Sequence, residues 1–150
     1  MANREFVNDI GPITTIGPVT ANADVTGVSV DLLGYDAATL YLSVGIGGIT
    51  FDNTNRVDFV LQHSDDNSSW AAVTQDDVKF PATGGAVTVT NGIIRSLIAA
   101  KAAIDAAPTR VGYVGTRRYL RLFADFSGTH ATGTPINAAI HRGHPIVSPV

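Results

Sequence analysis

The sequence predicts an all-β fold: a single antiparallel β-sandwich or jelly-roll-like domain with one short inserted helix and an extended N-terminal arm. Three observations carry this. Apolar and polar residues alternate through residues 38–44 and again through 120–126, as in a strand with one buried face. Residues 57–73 read as strand, polar turn and return strand, with Asp65, Asp66, Asn67, Ser68 and Ser69 supplying the turn chemistry. Glu5 is the only glutamate, and Lys79 and Lys101 are the only lysines. The residues that long helices draw on are therefore scarce, while Val, Thr and Gly abound.

Taken in order, the chain opens with a near-repeat, Ile10-Gly11-Pro12-Ile13-Thr14 echoed by Ile16-Gly17-Pro18-Val19-Thr20. Proline lacks an amide donor, so this stretch cannot be a central strand. An edge strand of the same domain and an arm docked on a neighbouring subunit both satisfy that constraint. The division adopted is an extended arm over residues 1–22 and a sandwich domain over residues 23–150. Val28, Val30 and Leu32 then share a face, Gly34-Tyr35-Asp36 turns the chain, and Ala38, Leu40, Leu42 and Val44 point inward. In the following hairpin Val57, Phe59 and Leu61 are inward, and Trp70 is expected as a core anchor of the return strand.

A short strand is expected over residues 86–90, and then a helix over about residues 93–107. Ile93, Leu97, Ala100 and Ile104 recur at helical spacing, Thr90 or Asn91 can cap the start, and Pro108 stops the run. Residues 113–122 form a further strand, turn and strand. Leu120, Leu122, Ala124 and Phe126 face inward, opposite Arg121, Phe123 and Asp125. A last strand over residues 136–140 leads into His141-Arg142-Gly143-His144-Pro145 and an extended tail.

Composition bounds the function. The 150 residues form one domain, and 45% hydrophobic content supports a core. Only 15% of residues are charged, low enough to point to surface covered by partners. A net charge of -3 gives no global attraction to nucleic acid. There is no cysteine for disulfides or thiolate ligation. The N-terminal residues lack the apolar core of a signal peptide, and no apolar run is long enough to span a bilayer, so no membrane partner is expected.

The chemical candidates are thin. No serine sits in a Gly-x-Ser-x-Gly elbow, so the four histidines have no nucleophile to serve. His141 and His144 are three apart but flank Gly143 and precede Pro145, where a helical chelating face is not available. Asp65, Asn67, Ser69 and Asp76 match positions of a calcium-loop spacing, yet Trp70 stands where that loop needs glycine. Arg110, Arg117, Arg118 and Arg121 form the one basic cluster, but Arg117 and Arg118 point to opposite sides of a strand, unlike a flat phosphate-binding patch. Gly45-Ile46-Gly47-Gly48 lacks the spacing of a phosphate cradle. The expectation is no catalytic residue, no cofactor and no metal.

Four segments carry a family resemblance: residues 31–40, residues 61–66, residues 112–122, and the terminal Gly143-His144-Pro145-Ile146-Val147-Ser148-Pro149-Val150. In that order they resemble a family of small tailed-bacteriophage virion proteins from the head-assembly region. The resemblance implies a structural protein of the head, a decoration (cement) protein on the outer capsid surface, made in the host bacterial cytoplasm. Its expected partners are the major capsid protein lattice and its own copies, as a homo-oligomer with a trimer favoured. The residues expected at partner contacts are Ile10, Pro12, Ile13, Ile16, Pro18, Val19, Arg117 and Arg121. A head–tail connector or tail component is the alternative within virions. A second resemblance, through the Ser-Asp-Asp-x-Ser-x-Trp turn and the Arg-Tyr-Leu-Arg-Leu strand, is to discoidin-like carbohydrate-binding sandwiches.

Overall fold

Two antiparallel sheets pack face to face in a computed structural model that describes residues 6–84 and 87–146. The first, called the β1 sheet, runs β1 (Ile10–Ala21), β11 (Thr134–Pro145), β4 (Tyr35–Val44), β9 (Thr109–Tyr113) and β7 (Val78–Lys79). The second, called the β10 sheet, is centred on β10 (Tyr119–Ser127) and β5 (Arg56–Ser64). Two short strands, β2 (Val25–Thr26) and β3 (Val30–Asp31), share the outer edge of β10. Likewise β6 (Ala71–Ala72) and β8 (Ile93–Leu97) share the outer edge of β5.

The period-two pattern decides what is buried. Leu40, Leu42, Val57, Phe59, Leu61, Leu120, Leu122 and Ile140 are all fully enclosed between the sheets. Burial of a large apolar side chain stabilises by about 1.5–3 kcal/mol, so this layer dominates the fold.

Residues 93–107 are not a helix. Ile93–Leu97 is strand β8, paired antiparallel with β5 across a bulge at Phe59/Val60, and residues 98–108 have no regular structure. Asn91 and Gly92 take positive φ (52° and 76°) and turn the chain, so neither residue 90 nor 91 caps a helix. The alanine-rich run offers helix propensity worth only tenths of a kcal/mol per residue. Pairing with β5 instead buries Ile94 and Leu97. An ionic staple then fixes the loop. Asp105 receives both Arg95 terminal nitrogens at 2.7 and 2.9 Å and the Val44 amide at 2.8 Å, with Lys101 Nζ at 2.9 Å. The strand expected over residues 86–90 is reduced to one bridge between Thr90 and Ile93; Ala86 lies outside the described residues.

The arm also needs correction. Residues 10–21 of the expected arm are β1, the edge strand of the domain's own sheet, in register with β11 from Ile10↔Gly143 to Ala21↔Thr134. Bulges between Thr14 and Ile16 and between Ile16 and Val19 bend the strand, as edge prolines and bulges commonly do. At the first bulge the buried Thr15 reaches the other sheet's edge: its hydroxyl donates to the Val28 carbonyl at 2.8 Å and accepts the Leu122 amide at 3.3 Å. Its own carbonyl accepts the Val28 amide at 2.7 Å. One side of the sandwich is therefore closed by β1. Residues 1–5, the rest of the arm's start, and the tail beyond residue 146 lie outside the described residues.

Candidate interaction surfaces

The residues expected at partner contacts fall in two places. On β1, Pro12 and Pro18 are exposed, Ile10 is half-buried, and Ile13 and Val19 are 36% and 41% exposed. Ile16 is not available to a partner. At 2% exposure it belongs to the core, because the bulge turns it inward opposite Ala138. Arg117 sits on the loop before β10, 3.7 Å from a well-exposed Asp65. Arg121 lies on the outer face of the β10 sheet, so the structure does not bring it together with the β1 residues.

That outer face is built in rows by strand register. Phe123 stands opposite Val60, and Val60 opposite Ile93, giving an apolar row across β10, β5 and β8. Two residues to one side, Arg121 stands opposite Gln62, and Gln62 opposite Ala72. Two residues to the other side, Asp125 stands opposite Asp58, and Asp58 opposite Ser96. The face is thus basic on one flank, apolar in the middle and acidic on the other. Phe123, Val60, Arg121, Gln62 and Asp125 are all half-exposed.

Trp70 belongs to this face and not to the core where the sequence placed it. The Arg121 guanidinium carbon sits 4.0 Å from the centre of its ring, and Arg121 Nε donates to Gln62 Oε1 at 2.9 Å. A sugar cannot stack on the indole face that Arg121 covers. The hairpin turn explains the displacement. Asp66 accepts the Ser69 and Ser68 amides at 2.7 and 2.9 Å and the Ser64 hydroxyl at 2.9 Å, and Asn67 takes φ 58°. Those bonds hold the Asp66 carboxyl well below the ordinary carboxylate range, the Ser69 and Ser68 amides contributing most. The turn delivers Trp70 to the outer side of the sheet.

Charges on this face are unevenly satisfied. Arg56 pairs with Asp58 at 2.6 Å, and Ser96 also donates to Asp58. The Asp125 carboxylate makes no hydrogen bond or ion pair with any described residue, and burial together with Asp24 and Asp58 pushes it up. Arg121 has no carboxylate within ion-pair distance among the described residues, and burial pushes its guanidinium down. By contrast Arg118 is paired bidentately with Asp31 at 2.9 and 2.7 Å.

The second surface is an end of the sandwich. Leu33, Val114 and Ile146 are 67%, 52% and 69% exposed, and all three border one open concavity of about 680 Å³. Arg117 and Arg118 line it too. Beneath it His63 Nδ1 and the Tyr113 hydroxyl are 3.0 Å apart, joining the two sheets, and that hydroxyl accepts the Arg117 amide at 3.1 Å. Both residues are buried, and the pair ties the two sheets together. Burial first, and Arg117 second, push the His63 imidazole down. Among the described residues no three His, Asp or Glu side chains converge as a metal site. His141 lies against Tyr41 with ring centres 4.4 Å apart on the opposite outer face.

Phe123 and Asp125 were visible in the sequence as outward positions of an alternating strand, but their row partners on β5 and β8 depend on pairing that periodicity does not encode. Comparison with protein-family models, with curated proteins and with solved structures finds no match.

Proposed function

We propose that this chain is a structural virion protein of a tailed phage, a decoration (cement) protein on the outer surface of the head. On this reading it seats on the major capsid protein lattice and bridges neighbouring subunits. The observation that carries the reading is the apolar end of the sandwich. Isolated surface hydrophobics need no explanation, but exposed residues gathered round one concavity mark an interaction site. Leu33, Val114 and Ile146 line it together with Arg117 and Arg118, so apolar and cationic groups share one surface, as at the interfaces of binding proteins. Further support comes from the fold. A rigid two-sheet body, with β1 tied across one side through Thr15, holds its surfaces in fixed relation, as a bridge between lattice subunits requires.

The test is binding to capsid shells. Purified protein mixed with shells that lack it should sediment with them at a saturable ratio. Leu33→Asp combined with Val114→Asp should abolish that binding while leaving the melting temperature within a few degrees. Shell binding that survives the double variant would remove this end as the attachment site, and no binding by the intact protein would remove the function.

A further inference from the structure

We propose that the outer face of the β10 sheet is a two-fold interface between copies of this chain, in which Arg121 of each copy meets Asp125 of the other across a shared Phe123–Val60 row. The proposal does not depend on the virion reading. It makes a dimer the unit of self-association, in place of the trimer expected from the sequence.

The argument is geometric. Arg121, Phe123 and Asp125 are alternate residues of one strand, so they share a face, with Arg121 and Asp125 each about 7 Å from Phe123. An axis lying in the interface, running across the strands along the Phe123–Val60 row, reverses strand direction and turns the face over. That operation puts Phe123 on Phe123 and Val60 on Val60. It puts Arg121 opposite Asp125 and Gln62 opposite Asp58, each pair occurring twice. A self-complementary patch of this kind is what an isologous contact requires.

Charge satisfaction points the same way. Arg121 and Asp125 are half-buried ions without an opposite charge bonded to them among the described residues, whereas Arg56, Arg95, Arg117 and Arg118, though not Arg110 or Arg142, each have a carboxylate within 4 Å. The Arg121 guanidinium is also held ready, resting on the Trp70 ring and anchored at Nε by Gln62. Fixing it in advance lowers the ordering cost of an ion pair. The residues around the axis are Phe, Trp and Arg with apolar neighbours, the types enriched at interface centres. The nine-residue strands β10 and β5, with the shorter β2, β3, β6 and β8 along their outer edges, define a face of about 450 Å² per copy. A pair would then bury about 900 Å², the size of a weak, reversible contact.

Sedimentation equilibrium on the full chain tests this directly. The expected result is a monomer–dimer equilibrium that shifts toward monomer as salt rises. Arg121→Asp and Asp125→Arg should each weaken dimerisation by about tenfold or more, and the two combined should restore it. Circular dichroism melts on each variant identify any that fail to fold. Because the chain has no cysteine, Phe123→Cys provides an independent readout: a short bis-maleimide should couple a residue on the axis to its own copy. Overturning results are a chain that stays monomeric at high concentration, a trimer, or a dimer indifferent to both charge changes that does not couple through position 123. A monomer that binds an acidic segment of another protein through Arg121 would also overturn it.

Discussion

Arg121 lies over Trp70, its guanidinium carbon 4.0 Å from the centre of the indole ring, on the outside of the sandwich. The residue that composition singles out as the natural core anchor is thus a surface platform for a cation. This relationship decides the character of the face, since it fixes an arginine without neutralising it.

Replacing Trp70 by alanine should therefore cost about 1–2 kcal/mol, the scale of a partly desolvated cation–π contact with some apolar area. Phe59→Ala, in the enclosed layer, should cost about 3–5 kcal/mol. Urea denaturation of the two variants side by side gives the comparison. Equal losses would return Trp70 to the core.

The closure of the sandwich by β1 makes the N-terminal strand indispensable. Deleting residues 1–20 should leave a chain without cooperative unfolding, because β11 loses one of its two neighbours and Leu122 and Val28 lose the Thr15 bonds. Thr15→Val, which keeps the shape and removes the hydroxyl, should cost about 1–3 kcal/mol for buried groups left unpaired. A truncated chain with native-like amide dispersion in NMR spectra would contradict the first expectation, and a Thr15→Val variant that melts like the parent would contradict the second.

Asp105 is the keystone of residues 98–108. Burial opposes its ionisation, but bonds from Arg95, Lys101 and the Val44 amide outweigh that and hold its carboxyl well below the usual range. Asp105→Ala strands two cations in a largely buried site and should cost about 2–4 kcal/mol. Asp65→Ala, which removes an exposed partner of Arg117, should stay within about 1 kcal/mol. Thermal melts separate the two cases clearly.

The buried His63–Tyr113 tie predicts a pH dependence whose sign follows from burial. The imidazole is pushed below its ordinary 6.5 in the folded state, so the unfolded chain binds its proton more readily. Stability from this group is fully present above about 6.5 and is lost as pH falls from there through the folded value. The ordinary carboxylates, near 3.8, titrate lower still. His63→Gln should flatten the dependence of melting temperature between pH 6.5 and the onset of carboxylate titration. An unchanged slope would show that His63 is not its source.

Much of this was legible in the sequence, and most of the failures share one physical origin. Strict alternation named Leu40, Leu42, Leu120 and Leu122 as inward, because that pattern depends only on the strand's own geometry. The Asp66 turn was legible for the same local reason. What escaped was non-local. Residues 93–107 read as helix, but the pairing of Ile93–Leu97 with β5 and the bond from Val44 to Asp105, both from far along the chain, outweighed propensity. Ile16 read as an outward arm residue because the bulge that buries it is set by β11. The exposed end escaped because Leu33, Val114 and Ile146 come from three separate loops.

The most direct test of the decoration reading is the copy number of this chain in purified particles. Quantitative mass spectrometry of virions should find it at a ratio to the major capsid protein set by lattice positions, and particles without it should lose their genomes more readily on heating. A handful of copies per particle would assign it to the neck or tail, and absence from particles would contradict the reading altogether.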